Sequence, residues 1–204
     1  MNVWQRAGKR ALDLSAAATG LLLLGPLMLL VACAVRLNSP GAALFKQARL
    51  GRNARPFVAY KFRTMYTGAP DLRNSDGSTF NAAADPRVTR VGRILRQTSL
   101  DELPQLFNVL CGDMSLVGPR PDQVDQIAYY TARERGRLAV KPGLTGLAQV
   151  NGRNQISWAR RKELDLEYVA RQTLRLDLAL LARTIPYVLL RRDLFVAPPA
   201  EEIA

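Results

Sequence analysis

The sequence predicts an α+β, mainly helical fold: an N-terminal re-entrant membrane helix hairpin, then a compact cytosolic domain with a small β-hairpin and interfacial amphipathic helices. Three patterns predict it. Residues 14–35 carry no charge over 22 positions. Residues 43–64 alternate apolar and basic side chains with the period of two that a strand imposes. Apolar residues recur at i, i+3, i+4 and i+7 in two later stretches, the period of one helix face.

As a helix, the uncharged run rises about 33 Å, enough to cross a bilayer. It is too long for a signal peptide and lacks a convincing cleavage site. Two features favour a hairpin over a crossing. Gly25-Pro26 stands in the middle, where proline removes a helix hydrogen bond and kinks the axis. Both flanks are basic: Arg6, Lys9 and Arg10 before, Arg36, Lys46, Arg49, Arg52 and Arg55 after. Basic flanks stay in the cytoplasm, and one straight crossing cannot keep both there. Two arms of about 11 residues, each rising about 16 Å, reach half the hydrocarbon depth and return. The organisation is therefore 1–38 for the membrane helix, 39–196 for the catalytic domain with its membrane-interface helices and 197–204 for a tail without evident structure.

Within the domain, the hairpin at 43–64 turns near Gly51-Arg52-Asn53. Its second strand puts Val58, Tyr60 and Phe62 on one face and Lys61 and Arg63 on the other, a solvated basic face or a seat for a diphosphate. Residues 65–84, rich in Gly, Pro, Asn, Asp and Ser, read as a mobile surface loop. Order restarts at Asp85-Pro86, with Val91, Ile94 and Leu95 marking a short helix ringed by Arg87, Arg90, Arg93 and Arg96. The stripe Leu103, Leu106, Phe107 and Leu110 marks the next. It starts either at Ser99, whose Ser99-x-x-Glu102 spacing matches a capping box, or nearer Leu103, which puts Pro104 at the favoured first position. Both starts leave Asp101 and Glu102 where free N–H groups and the helix dipole favour anions. Residues 123–138 suit a helix and 141–146 are turn-rich. Gly152-Arg153 can bring a guanidinium near a phosphate. Residues 158–192 are helical in pattern, with a stripe at Leu174, Leu178, Leu181, Ile185 and Val188 and a kink at Pro186. That stripe suits core packing, or a basic helix lying on anionic headgroups.

The balance of 29 Lys+Arg against 17 Asp+Glu gives net +12 and calls for an anionic partner. There is no histidine, so carboxylates are left to move protons and bind hard metals. Cys33 and Cys111 sit in apolar stretches without zinc spacing, which suits a reduced compartment. Aromatic residues make up only 7 %, and no helix-turn-helix, RNA-recognition or zinc signature appears, which argues against nucleic acid.

The motifs, in order, are KRALDL, FKQARLG, KFRTM, DPRVTRVGRILRQTSLDELPQLFNVLCGDMSLVGPRP, KPGLTGLAQVNGR and WARRKELDLEYV. Over nearly the whole chain they resemble the bacterial sugar transferases, the monotopic polyprenol-phosphate phosphoglycosyl transferases, in their small stand-alone form. The resemblance implies transfer of sugar-1-phosphate from a UDP-sugar to undecaprenyl phosphate, giving undecaprenyl-diphosphate-sugar and UMP, at the cytoplasmic face of the bacterial inner membrane. It places the family's Asp-Glu pair on Asp101 and Glu102. Asp101 is then the nucleophile that forms a phosphosugar-enzyme intermediate, and Glu102 deprotonates the lipid phosphate or otherwise assists its attack. Mg²⁺, held by one or two carboxylates plus substrate phosphates and assigned to Asp101, suits such chemistry. Arg120, between two prolines, can present a planar fork to phosphate oxygens. Lys61, Arg96 and Arg153 fall on other motif positions and complete the cationic set. Arg63 and Arg87 join it with a structural role as the alternative. The chain departs from the family in two places: Gly25-Pro26 replaces the usual Ser-Pro, and the loop at 67–81 is longer than the minimal pattern. The implied partners are the UDP-sugar, undecaprenyl phosphate and membrane lipid, with a homodimer left open and no nucleic acid. Products separate this reading from ordinary glycosyl transfer, which releases UDP. The sugar and the glycoconjugate pathway, whether exopolysaccharide, capsule, O-antigen or glycoprotein, are not marked by any motif.

Overall fold

Leucine and alanine, both strong helix formers, fill the N-terminal apolar run, and it folds as one helix, α1 (Val3–Asn38), that continues through Pro26. In this computed structural model residues 3–74, 76–82 and 84–190 are described. After α1 come β1 (Leu44–Leu50), β2 (Pro56–Phe62), α2 (Arg90–Thr98), α3 (Gln105–Cys111), β3 (Ser115–Val117), β4 (Gly143–Thr145), α4 (Trp158–Arg171) and α5 (Leu174–Leu189). The result is an α+β fold dominated by helix, with two two-stranded sheets.

One face of α1 lies against the rest of the protein. Asp13, Ala17, Val31 and Val35 are buried, and Leu21 and Met28 pack against the two larger cores. The other face is bare, with Leu22 79 % and Leu29 71 % exposed. Polar side chains fasten the N-terminal half of α1. Arg10 donates to the carbonyls of Val109 (2.7 Å) and Leu110 (2.9 Å), near the end of α3. The Asp13 carboxylate accepts from Ser115 Oγ at 3.0 Å and Leu116 N at 2.9 Å, pinning β3. Cys33 and Cys111, read as thiols in apolar surroundings, are both exposed.

The hairpin forms as the alternation predicts: β1 and β2 pair antiparallel from Leu44↔Phe62 to Leu50↔Pro56. Phe62 enters the core with Val31, Val35 and Leu95, while Val58 is 45 % exposed. On α3, buried Asn108 accepts from Tyr60 N at 3.0 Å and donates to Val58 O at 2.7 Å, standing in for a third strand on β2. Leu106 is buried as its stripe predicts, but Phe107 is 49 % exposed, its expected burial taken by Asn108 and Val109.

Several segments differ from their sequence reading. Residues 123–138 make two 3-10 turns, Val124–Tyr129 and Glu134–Ala139, instead of one helix. They break where Tyr130 turns inward and donates to Asp122 at 2.6 Å. Part of the turn-rich 141–146 stretch becomes β4, parallel to β3 with Ser115↔Gly143 and Val117↔Thr145. Glycine hides this ladder from propensity reasoning yet permits it: a Cβ on Gly143 would lie 2.1 Å from Gly118 N. The final helical stretch is two helices, and Thr173 starts the second by accepting from Leu176 N at 3.1 Å. Its apolar stripe is only partly core: Leu181 packs against the main core, whereas Leu178 is 50 % and Ile185 62 % exposed, and Asp177 and Leu180 are the fully buried positions. Pro186 is accommodated near the end of α5. The tail, Arg191 and Arg192 lie outside the described residues.

α2 is set by its backbone. Thr89 caps it by accepting from Gly92 N at 2.9 Å, and Thr89 N donates to Thr64 O at 3.0 Å. A Cβ on Gly92 would stand 2.0 Å from Thr64 O. Gly92→Ala is therefore expected to destabilise the fold by about 3 kcal/mol or more, read as a lower unfolding midpoint in detergent or nanodiscs.

Candidate active site

Both acidic residues come from the short link between α2 and α3. Ser99 ends α2 in the left-handed region (φ 57°), a costly backbone state for a residue with a Cβ. Leu100–Glu102 then form one 3-10 turn, and Pro104, whose missing N–H costs nothing at a helix start, leads into α3. The capping box at Ser99 does not form, because Ser99 makes no side-chain cap. The later start near Leu103 is the one adopted. The turn aims both carboxylates into a cleft of about 590 Å³.

Every charged residue singled out from the sequence lines this cleft: Lys61, Arg63, Arg87, Arg96, Asp101, Glu102, Arg120 and Arg153. Their roles differ. Lys61 Nζ lies 3.2 Å from Glu102 Oε1, and Arg120 grips the same carboxylate with both terminal nitrogens, Nη1 at 3.1 Å from Oε2. Arg120 and Lys61 outweigh burial and hold Glu102 well below the usual carboxylate range. Among the described residues Asp101 has no hydrogen-bond or salt-bridge partner. Burial, then the neighbouring Glu102 charge, push its carboxyl up to about 6, against the pull of Lys61, Arg120 and Arg96. Burial also lowers Lys61 to about 8. Arg96 donates from Nε to Thr64 Oγ1 at 3.0 Å. Arg153, itself at φ 44°, reaches Ser99 Oγ at 3.3 Å.

Arg63 and Arg87 are tied into the scaffold. Arg63 is buried and closes the C-terminal end of α1, donating to Ser39 O at 2.8 Å and Ala42 O at 2.7 Å. Arg87 pairs with Asp85 at 2.7 Å and donates to Pro70 O at 2.7 Å, fixing the loop that walls the cleft. That is the structural alternative the sequence left open.

The sequence reading missed several groups. Arg49 and Arg161 also line the cleft; burial lowers Arg49 to about 10, and Arg161 Nε is buried without a hydrogen bond. Arg49 sits two residues after Gln47 on one strand face, a signal the period of two carried. Behind the cleft, Arg137 joins Asp122 at 2.5 Å to Asp165 at 2.5 Å, and Trp158 Nε1 donates to Asp122 at 3.1 Å. No spacing along the chain announces that network, because its bonded partners are 15 to 36 residues apart. Among the described residues no group of three His, Cys, Asp or Glu could hold a metal.

Comparisons place the chain. The family model for bacterial sugar transferases matches residues 4–191. The undecaprenyl-phosphate glucose phosphotransferase of Komagataeibacter xylinus is 44 % identical over 96 % of this chain, which spans only 38 % of that protein's length. The UDP-glucose:undecaprenyl-phosphate glucose-1-phosphate transferase of Caulobacter vibrioides is 46 % identical over 89 % of this chain and 69 % of its own. The exopolysaccharide production protein ExoY of Rhizobium meliloti is 41 % identical over 90 % of this chain and 86 % of its own.

The two carboxylates should act oppositely on stability. The folded state raises the Asp101 pKa from the ordinary 3.8 to about 6, so its contribution is present below about pH 4 and lost as pH rises toward 6. At neutral pH Asp101→Asn should raise the unfolding midpoint. Glu102 is depressed, so it stabilises above its unfolded pKa and the gain is lost as pH falls through the folded value. Glu102→Gln should cost about 1–3 kcal/mol by stranding Lys61 and Arg120, measured by thermal unfolding at pH 7.

Proposed function

Because this chain belongs to the bacterial sugar transferase family, we propose that it transfers sugar-1-phosphate from a UDP-sugar to undecaprenyl phosphate, releasing UMP, through a phosphosugar carried on Asp101. One observation carries the reading: of two adjacent carboxylates in a cationic cleft, Glu102 is fully engaged and Asp101 is free. An Asp101 oxygen attacks the sugar-bearing phosphorus. The bond from that phosphorus to the bridging oxygen breaks, and UMP leaves with the oxygen. An oxygen of the lipid phosphate then attacks the same phosphorus, and the carboxylate departs. Lys61, Arg96, Arg120 and Arg153 offset the charge that gathers on the phosphates in both steps. Glu102, held ionised by two cations, is a poor base and serves better as the post that orients Arg120 and Lys61. Magnesium fits the donor set: Asp101 offers unpaired oxygens, the diphosphate would supply the rest, and the ion's charge would ease attack by an anion.

The membrane arrangement follows the contacts of α1. Its first arm is pinned through Arg10 and Asp13 and its far end through Ser39 and Arg63, all to the same domain. A helix crossing the bilayer would carry one end away from that domain, so a re-entrant path with both ends on the cytoplasmic side of the inner membrane is the better reading. The bare leucines of α1 then meet lipid. The exposed stripe on α5, Leu178 and Ile185, with Arg175 exposed on the same helix, suits the headgroup layer. Residues 1–38 are thus the membrane element and 39–196 the catalytic domain.

UDP-glucose, the donor named for the Caulobacter relative, is the first probe. With undecaprenyl phosphate and magnesium, the wild type should release UMP, and without lipid it should gain a phosphosugar mass at residue 101. Release of UDP would support ordinary glycosyl transfer, and Asp101→Asn at the wild-type rate would remove Asp101 from the chemistry. The rate kcat/KM should fall below about pH 6 as Asp101 takes a proton and again above about pH 8 as Lys61 loses one. Lys61→Arg should move the alkaline limb upward.

For topology, Val3→Cys and Phe45→Cys in a background lacking Cys33 and Cys111 should both resist an impermeant thiol reagent outside intact cells. Labelling at position 3 alone would mean a crossing.

A further inference from the structure

The loop that presents Arg120, Gly118-Pro119-Arg120-Pro121-Asp122, has an unusual hydrogen-bonding problem. Two of its five residues are prolines and donate nothing, so it cannot satisfy its own carbonyls by forming a turn or helix. Buried carbonyls need donors from elsewhere. At the end of β3, where the strand leads into the loop, Val117 O receives Lys9 Nζ at 2.9 Å and the Tyr168 hydroxyl at 3.1 Å. Pro119 O receives Gly143 N at 2.8 Å. Arg120 O receives Arg137 Nη2 at 2.8 Å, Pro121 O receives Arg49 Nη1 at 3.1 Å, and Asp122 O receives Leu50 N at 2.9 Å.

Three of these donors are cationic side chains from separate parts of the chain: Lys9 on the membrane helix, Arg49 on β1 and Arg137 from the 3-10 turn before β4. Each is fixed by a second contact. Lys9 pairs with Asp177 at 2.7 Å, Arg137 with Asp165 and Asp122, and Arg49 donates to Gln47. We propose that Lys9, Arg49 and Arg137 are positioning residues that clamp the backbone of this loop and so set where the Arg120 fork meets Glu102 and the diphosphate. The membrane helix, through Lys9, is then part of the active-site scaffold as well as the anchor.

The inference rests on the proposed phosphosugar transfer only for its kinetic readout, and the test separates the two. UMP release is measured for Lys9→Met, Lys9→Arg, Arg120→Gln and the double variant Lys9→Met/Arg120→Gln. A 1 Å displacement at such a site costs on the order of 100-fold, so Lys9→Met should lose about 10- to 100-fold in kcat, and Lys9→Arg should recover most of it. In the Arg120→Gln background the same change should cost less than about 2-fold, because a clamp has nothing left to aim. Multiplying losses would overturn the proposal, as would a Lys9→Met enzyme at full rate. Hydrogen exchange supplies an arm independent of activity. Lys9→Met should speed exchange in the peptide over 115–122 and leave α4 unchanged, whereas Lys9→Arg should leave both unchanged. Unaltered exchange at 115–122 refutes the clamp even if no UMP is ever released; absence of UMP from the wild type refutes only the reaction. Should Lys9→Met fail to fold, Arg49→Gln, which frees Pro121 O from the other side, carries the same cycle and exchange measurement.

Discussion

A single carboxylate, that of Glu102, absorbs two cations, and most of the site's behaviour depends on that choice. Lys61 and Arg120 could have shared themselves between both acids. Because Arg120 closes a bidentate fork on Glu102 and Lys61 joins it, Glu102 is fixed in charge and position. Asp101 is left within the same field but, among the described residues, without a hydrogen-bonding partner. The two acids are adjacent in sequence, and like charges so close push each other's ionisation apart. The bonded one stays ionised, and the unbonded one bears the cost. A nucleophile needs its lone pairs uncommitted, and the neighbour's engagement with Lys61 and Arg120 leaves those of Asp101 available for the role proposed for it.

That division relies on backbone features on either side. The left-handed Ser99 turns the chain so that both acids point into the cleft, and Arg153, also at positive φ, meets its hydroxyl. Strain of about 1–3 kcal/mol per such residue must be offset by packing around it. The offset comes from α3, wedged between α1 and β2, with Asn108 bonded to the strand and Arg10 to the helix end. The membrane helix, the hairpin and the acidic turn are therefore one mechanical unit.

Much of this was legible in the chain itself. The period of two gave the hairpin, the uncharged run gave α1, and the motif around Asp101, together with KFRTM and KPGLTGLAQVNGR, gave the cleft residues. What was hidden depended on contacts between distant residues. Propensity cannot show that Gly143 lets β4 lie against Gly118, or that Tyr130 breaks a helical pattern to reach Asp122. Nor could it say which of six basic residues would be tied into the scaffold. Arg63 looked like Lys61, two positions away on the same strand face, yet it closes α1 because the strand ends beside Ser39. The stripe on α5 was legible as apolar but left open between core and headgroups, since periodicity reports that a face exists and not what covers it; Leu181 packs on the core while Leu178 and Ile185 are exposed.

The two-sided surface of α1 has a consequence for how the protein can drift over evolutionary time. Its inner positions, such as Asp13, Ala17 and Val35, are constrained by shape and hydrogen bonding to one particular neighbour. Its outer leucines answer only to oil. Related chains should therefore exchange Leu, Ile, Val and Phe freely on one side of this helix and scarcely vary on the other. A substitution tally along its length would oscillate with the pitch of the helix itself.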